Sequence, residues 1–406
     1  MNQISAPLWL SPIWSAEIYK QWDLPEEVTE KWNILARSAG EFGIFIGHGW
    51  FKNFWRSFGA SGNLVLIVLK QDGVIRAIFP CCLKPNDDDS KLRSNIASLC
   101  NAHTPYYDFI IDPEIRQIAL SYFRQVLRHI FPESKVVLDY LPAGGPNTDL
   151  LAHELWRNWS PVHISRSQWA PWMEVTGDWE RLCCSLPSRL RNTLRRCWKK
   201  AEVKGRLRFE VFRDCDNVDT ILKEFFNIEF RGWKGAQGTA IMCQDEVISF
   251  YRRLAYWANE GMHLLMFALR LDEVLIAAQL CLRFGGTVFL LKTAYDESYR
   301  TLSPGTLLQH EVLKYLFGVP EVRNYNFLGA CDRWKMEWTN NCSVTSSMIA
   351  YPGSMRGWRD YAFEHGWKDV LRRVPALPRI RQWMTSETDR RLREPHPAIG
   401  TKTQHG

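Results

Sequence analysis

The chain has 406 residues, 46% of them hydrophobic and 23% charged, with a formal net charge of +7. That length suits two domains that each bury a core, and the balance of apolar and charged residues excludes a disordered or fibrous chain. No apolar run nears the roughly 20 residues of a membrane span, and Met1-Asn2-Gln3-Ile4 lacks the charged and apolar regions of a secretory signal, so a cytoplasmic location is expected.

Eleven cysteines, an odd number, include the adjacent pairs Cys81-Cys82 and Cys183-Cys184 but no Cys-x-x-Cys. Reduced core thiols are expected, rather than a disulfide framework or a zinc site. The positive charge favours acidic partners such as CoA, nucleotide-sugars or anionic lipid without choosing among them. The 19 tryptophans are expected mainly in core packing, with stacking on carbohydrate as the alternative.

In chain order, helices are expected over 25–38 and 50–58, then a hairpin over 64–81. After Asp87-Asp88-Asp89, a solvated loop, a strand is expected around 107–111, a helix over 113–130 and a strand over 135–140. Pro142-Ala143-Gly144-Gly145-Pro146 and Ser160-Pro161 are strong breakers, which places a linker in 141–171. Residues 181–208 carry ten Lys and Arg against the single acid Glu202, and Arg189, Arg196 and Lys199 or Lys200 recur at near-helical spacing. A basic face of that density implies a polyanion nearby, with a merely solvated helix as the alternative.

Two apolar runs, 262–269 and 274–282, flank the polar break Arg270-Leu271-Asp272-Glu273 and predict a second antiparallel hairpin. A third strand follows over 288–291. Ser303-Pro304-Gly305-Thr306 then opens a helix over 304–317, with Ser303 as N-cap and Pro304 at the first helical position, and a last strand covers 322–328. At that helix start the amides of Gly305, Thr306 and Leu307 are expected to face an anion such as a pyrophosphate, approached closely because position 305 has no side chain. A merely capped turn is the alternative.

The first hairpin, LVLIVLKQDGVIRAIFPC, and the second, LLMFALRLDEVLIAAQLC, lie 200 positions apart with the break in the same place. A duplicated domain explains this, with units over 1–150 and 165–352. Where the second unit has Ser-Pro-Gly the first has Asp112-Pro113-Glu114-Ile115, whose carboxylates would repel a pyrophosphate, so the first is expected to have lost cofactor binding. After Tyr351-Pro352-Gly353, residues 353–406 read as a basic, aromatic helical appendage with Arg356, Arg359, Lys368, Arg372 and Arg373 among Trp358, Tyr361, Phe363, Trp367 and Leu371, and a flexible tail from about Glu394. Packing back on the domain is favoured over lying on an anionic membrane surface.

From Arg189 to Trp338 the chain resembles the acetyltransferase family associated with bacterial cellulose and exopolysaccharide synthesis, whose catalytic domain is of the GNAT acyl-CoA transferase type. The matching residues are Ser188-Arg189-Leu190-Arg191-Asn192, Arg195-Arg196, Glu229, Trp233-Lys234-Gly235, Gly238-Thr239 and Phe250-Tyr251. Further on come Lys292-Thr293-Ala294-Tyr295-Asp296, Tyr299, Ser303-Pro304-Gly305, Asn326-Phe327-Leu328-Gly329, Asp332, Lys335 and Trp338. It is also similar to the peptidoglycan-bridge transferases, which share the fold but take aminoacyl-tRNA as donor. The resemblance implies a mixed α/β fold of tandem GNAT-like domains with mixed central sheets, and acetyl-CoA as co-substrate without a metal. It places Leu291, Lys292, Ser303, Gly305, Thr306 and Leu307 at the cofactor, where the third and last strands part to admit the pantetheine.

Candidate catalytic residues are Glu229, Asp332, Lys335 and Tyr295, with Tyr295 as proton donor to the departing thiolate and a main-chain N–H of Leu290 or Leu291 for the oxyanion. Structural alternatives stand beside each: an ion pair of Glu229 with Arg231 or Lys234, a turn or cap role for Asp332, a surface position for Lys335 and structural hydrogen bonding for Tyr295. Arg189, Arg196, Trp233 and Lys234 are candidate substrate contacts. Expected partners are a small-molecule or saccharide acceptor and exopolysaccharide synthesis machinery at the inner membrane surface. The aminoacyl-tRNA alternative adds tRNA, and a non-catalytic scaffold in polysaccharide assembly is the reading from another class.

Overall fold

The computed structural model describes residues 7–59, 63–85, 94–213 and 217–373, with the side chains at 85, 94 and 367–373 not described. The expected Asp87-Asp88-Asp89 loop, the tail from Glu394 and the side chains of Trp367, Lys368, Leu371, Arg372 and Arg373 lie outside the described residues. Fourteen strands form among the described residues: β1 Leu8–Trp9, β2 Trp14–Tyr19, β3 Asn63–Gln71, β4 Val74–Pro85, β5 Ser94–Ser98, β6 Ile110–Ile111, β7 Val136–Pro142, β8 Val162–Glu174, β9 Leu207–Phe212, β10 Leu264–Leu271, β11 Val274–Phe284, β12 Thr287–Tyr295, β13 Asn324–Asn326 and β14 Cys342–Ala350. They join one mixed sheet in the order β1-β2-β3-β4-β5-β7-β14-β8-β13-β12-β11-β10-β9, with β6 paired to β4.

The duplication is visible in register. β3 pairs β4 with Leu64 opposite Cys82 and a bulge between Leu69 and Lys70; β10 pairs β11 with Leu264 opposite Leu282 and a bulge between Leu269 and Arg270. Asp72 (φ 49°) and Asp272 (φ 52°) make the two turns, each in the left-handed region that short polar side chains tolerate. The next strand in each half is antiparallel to the hairpin and the one after it parallel, β5–β7 in the first and β12–β13 in the second.

The halves diverge where chemistry is expected. β12 runs unbroken against β11, whereas its first-half counterpart is split into β5 and β6, with residues 99–109 leaving the sheet between them. Ile111 opposes Ala77 as Tyr295 opposes Ala277, so Asp112 is the counterpart of Asp296: their N–H groups reach Arg76 O and Ile276 O, and their carboxylates accept from Glu114 N and Ser298 N. Asp112 therefore does not stand where Ser303-Pro304-Gly305 does, correcting the expectation that its charge abolished a phosphate site. Its carboxylate is paired with Arg76.

The expected linker is also structured. Pro146 starts a helix, Pro146–Arg157, after a turn at Gly144 (φ 69°), and the following residues form β8, which lies between β14 and β13. β14 reaches back to pair with β7, so the sheet crosses from one half to the other without a break.

On one face of the second half, the helices Ser188–Lys204 and Pro304–Phe317 pack through Leu190, Leu194, Cys197, Leu308 and Val312. On the other, the helices Val218–Arg231 and Asp245–Glu260 share a core with the first half, where Phe45 meets Phe289 at 4.9 Å and Trp50 meets Phe250 at 5.6 Å. The helix His48–Phe58 approaches so closely that a Cβ at Gly49 would lie 2.0 Å from Trp257 Nε1. Gly49→Leu is expected to cost at least the roughly 1–3 kcal/mol of an overpacked core, read as a lower midpoint in urea unfolding.

The helix Met355–Arg373 breaks at Gly366 (φ 71°) and its described part packs back on the domain, as favoured above. Glu364 pairs with Lys135, His365 stacks on His163 at 3.8 Å, and Trp358 Nε1 donates to Trp159 O at 3.0 Å. Among the described residues no helix is long and apolar enough to cross a membrane.

Candidate active site

The helix Pro304–Phe317 begins as its Pro and periodic leucines dictate, but its cap is not the expected one. Ser303 sits in the left-handed region (φ 48°, ψ 55°) and its hydroxyl makes no cap bond. Its carbonyl instead takes the N–H of Thr306 at 2.9 Å and of Leu307 at 3.1 Å. Pro304 has no N–H, so the amide left without a protein partner in this first turn is that of Gly305. Leu307 is therefore not a donor to a ligand, and its side chain is buried. Fewer amides are available than the sequence implied, and side chains make up the difference.

A cavity of about 440 Å³ opens on this corner, and Arg300, Ser303, Gly305 and Thr306 line one end of it. A Cβ added to Gly305 would meet only Tyr295 Cδ1, at 3.6 Å, so the glycine keeps open a space that a bulky ligand group fits. One guanidinium, two hydroxyls, a free N–H and the positive end of a 14-residue helix make that end suited to phosphate oxygens. Arg300, on the 3₁₀ turn Glu297–Leu302, was missed from sequence because nothing marks it as facing the turn three residues on.

β12 forms the cavity's floor through Thr293, Ala294 and Tyr295. Leu280 opposes Lys292 and Cys281 opposes Leu290, so Leu291 is the extra residue of a bulge. β13 pairs with β12 only as far as Phe289–Asn326, so beyond that point the two strands part, as the resemblance implied. The bulge thus lies beside the fork, which suits a main-chain contact by Leu291. Tyr295 is partly exposed on the cavity wall beside Gly305.

The same cavity is lined by Glu229 and Lys234, from the Val218–Arg231 helix and the short helix Trp233–Ala236. Glu229, with a side chain only 1% exposed, accepts from Lys234 Nζ at 2.8 Å and from Ile241 N at 2.9 Å, and Lys234 also donates to Thr293 O at 3.0 Å. The ion-pair alternative for Glu229 is the one seen, with Lys234 as partner. Trp233, half exposed, lines the same wall, and its N–H donates to Glu297 Oε1 at 2.8 Å.

Behind this pair lies a polar cluster that joins the two halves. Lys292 Nζ sits 5.3 Å over the Tyr251 ring, and Tyr251 Oη meets His103 Nδ1 at 3.3 Å. His103 belongs to the 99–109 excursion and stacks on Phe58 at 5.8 Å. Burial, and then the neighbouring Lys234 cation, lower Lys292, opposed by Glu229. Burial and Lys292 push His103 down to about 4, while burial raises Tyr251. Sequence reasoning assigned no role to Tyr251 and had no signal for His103, which lies 148 residues before Tyr251.

The lowered histidine predicts acid sensitivity. His48, buried among Trp22 and Trp32, is likewise pushed down to about 4 by burial. Both stay neutral when folded while the unfolded chain protonates near pH 6.5. Stability is thus complete above about pH 6.5 and falls as pH drops from 6.5 towards 4. Thermal unfolding is expected at clearly lower temperature at pH 5 than at pH 7.5, with a flatter profile in His48→Gln/His103→Gln.

The segment after β13 corrects two candidates. Asn326 Oδ1 accepts from Leu328 N at 2.9 Å, turning the chain through Leu328 (φ 49°) and Gly329 (φ 60°). Lys335 Nζ then binds Leu328 O at 2.8 Å, Ala330 O at 2.9 Å and Asp332 Oδ2 at 3.0 Å. All three of its protons are engaged, so Lys335 straps this loop, and Asp332 is its counter-ion rather than a base in the cleft. Both residues lie outside the cavity lining, and it is Trp334 between them that reaches the wall. Arg189 and Arg196 lie on the exposed face of the Ser188–Lys204 helix, outside the cavity lining. Among the described residues no group of three or more His, Cys, Asp or Glu is placed to hold a metal ion.

Residues 188–336 match the acetyltransferase (GNAT) domain family. The structure of FemX is similar with a TM-score of 0.56 at 11% identity, over 82% of this chain and 98% of FemX. A conserved protein of unknown function from Bacteroides thetaiotaomicron is similar with a TM-score of 0.51 at 8% identity, over 81% of this chain and 98% of that one. No curated protein matches in sequence. The fold is a mixed α/β arrangement of tandem GNAT-like domains.

Proposed function

We propose that the chain is an acyltransferase that moves an acyl group, most simply acetyl, from acyl-CoA to an amine or hydroxyl. The observation that carries this is one cavity lined both by a phosphate-suited helix start and by the buried Glu229–Lys234 pair. Arg300, Gly305, Ser303 and Thr306 would hold the diphosphate, and the fork between β12 and β13 the pantetheine. The Leu291 main chain is placed to stabilise charge on the thioester oxygen. Tyr295 stands beside the donor turn, where its hydroxyl can protonate the leaving thiolate. Glu229 and Lys234 form the acceptor wall with Trp233, and Lys292, whose pKa burial lowers, lies behind them. The family resemblance makes a saccharide of exopolysaccharide or envelope assembly the expected acceptor, with action near the inner membrane surface.

Calorimetric titration with acetyl-CoA tests the donor, and colorimetric detection of released CoA across amines and amino-sugars tests transfer. One specific observation favours the second donor, aminoacyl-tRNA: the exposed face of the Ser188–Lys204 helix carries seven Lys and Arg residues, and none of them is ion-paired among the described residues. Retention of tRNA on filters, together with no heat from acetyl-CoA, would overturn the acyl-CoA reading in favour of that one. Binding of neither supports the scaffold.

A further inference from the structure

We propose that Cys331 and Cys342 form an oxidisable dithiol, a modification site that a hydroperoxide converts to a disulfide across the connection carrying Trp334. Their sulfurs lie 3.1 Å apart, so reaching the roughly 2.05 Å of a disulfide takes about 1 Å of movement. Cys331 is exposed and rests against Trp169 O at 3.6 Å on β8. Cys342 opens β14, paired to Pro171 of the same strand, with Met336 Sδ at 3.9 Å. The thiols thus face each other across β8 at the two ends of one crossover. Cys81, Cys82, Cys100, Cys197 and Cys281 are buried away from a dissolved oxidant, whereas Cys331 is exposed with a second sulfur beside it.

The chemistry balances without help from the cleft. One thiolate attacks a peroxide oxygen, becoming a sulfenic acid while the peroxide is reduced to water. The neighbouring sulfur then attacks the sulfenic sulfur, forming the S–S bond and releasing a second water. Burial, and then hydrogen bonding to Cys342, push the Cys331 thiol up to about 12, so the reaction is slow at neutral pH and faster in alkali. The link would fix both ends of the segment in which Trp334 lines the cavity and Lys335 straps the strand exit.

The full-length chain is treated with hydrogen peroxide alone at pH 7 and pH 8.5, alkylated, and digested with trypsin, which cuts between the two cysteines at Arg333 and Lys335. The expected result is a peptide pair joined through Cys331 and Cys342, forming several-fold faster at pH 8.5. The count of alkylatable thiols falls by two, and both effects are absent in Cys331→Ser. The proposal is overturned if both thiols remain alkylatable while Cys184 or Cys243 is oxidised, or if Cys331 proceeds to sulfinic acid unlinked. No acyl donor enters this test, so its failure is separate from failure of the acyltransferase reading.

Discussion

Gly305→Glu is expected to lose acetyl-CoA binding by at least 100-fold while melting no lower than the parent chain. The added side chain fits, since its Cβ meets only Tyr295 Cδ1 at ordinary contact distance, and the backbone there is helical rather than left-handed. Glutamate is a better helix former than glycine by about 0.5–1 kcal/mol, and a carboxylate in the first turn gains a further 0.3–1 kcal/mol or so from the helix dipole. Its charge, however, would stand where the diphosphate must. At about 4 Å and an effective dielectric near 20, one pair of like charges costs about 4 kcal/mol, roughly a thousandfold in affinity, and a diphosphate carries more than one. Stability and binding thus move in opposite directions. Gly305→Ala, which adds volume without charge, should weaken binding only a few-fold. Calorimetry and thermal melts on the three proteins decide the matter, and unchanged affinity in Gly305→Glu would remove the donor site from this corner.

Much of the second half was legible in the sequence because its signals are local. Apolar runs on both sides of the polar break at Asp272, and the Pro304 and Gly318 that bracket an apolar spacing of four, located the hairpin and the helix within a residue or two. The repeat at an offset of 200 was readable as residue identities. Its shared bulge was not, because register belongs to the pairing of two strands. Other features resisted for the same kind of reason. Serine seldom adopts the left-handed region, so Ser303 read as an ordinary side-chain cap. The breakers in 141–171 were read correctly as turns, but a turn does not reveal that the next residues enter a distant sheet. Lys335 looked like a free cation because its acceptors are main-chain carbonyls, which no side-chain pattern displays. His103 was invisible because its partners, Tyr251 and Lys292, come from the other half of the duplication.

The first half therefore contributes to the site. Its third strand is broken, and the residues released by the break, 99–109, place His103 behind the acceptor wall and Tyr106 against Ser343 at 3.0 Å.

That dependence on a buried polar cluster makes Glu229 a sensitive side chain. Glu229→Gln keeps the volume but replaces a carboxylate that satisfies both the Lys234 ammonium and the Ile241 N–H. The amide has one acceptor oxygen for two donors, and its NH₂ turns towards one of them. Lys234 is left with Thr293 O as its remaining partner, beside Lys292, whose pKa the Lys234 charge helps to lower. Removing one member of a buried ion pair typically destabilises by about 3–5 kcal/mol, so Glu229→Gln should lower the urea midpoint markedly. In Glu229→Gln/Lys234→Met the orphaned charge is gone, and the double variant is expected to be more stable than Glu229→Gln alone. A coupling energy above about 1 kcal/mol from the four proteins would establish Glu229 as the residue that positions Lys234 and the β12 floor. Additive effects, with Glu229→Gln as stable as the parent, would instead leave its carboxylate free for proton transfer.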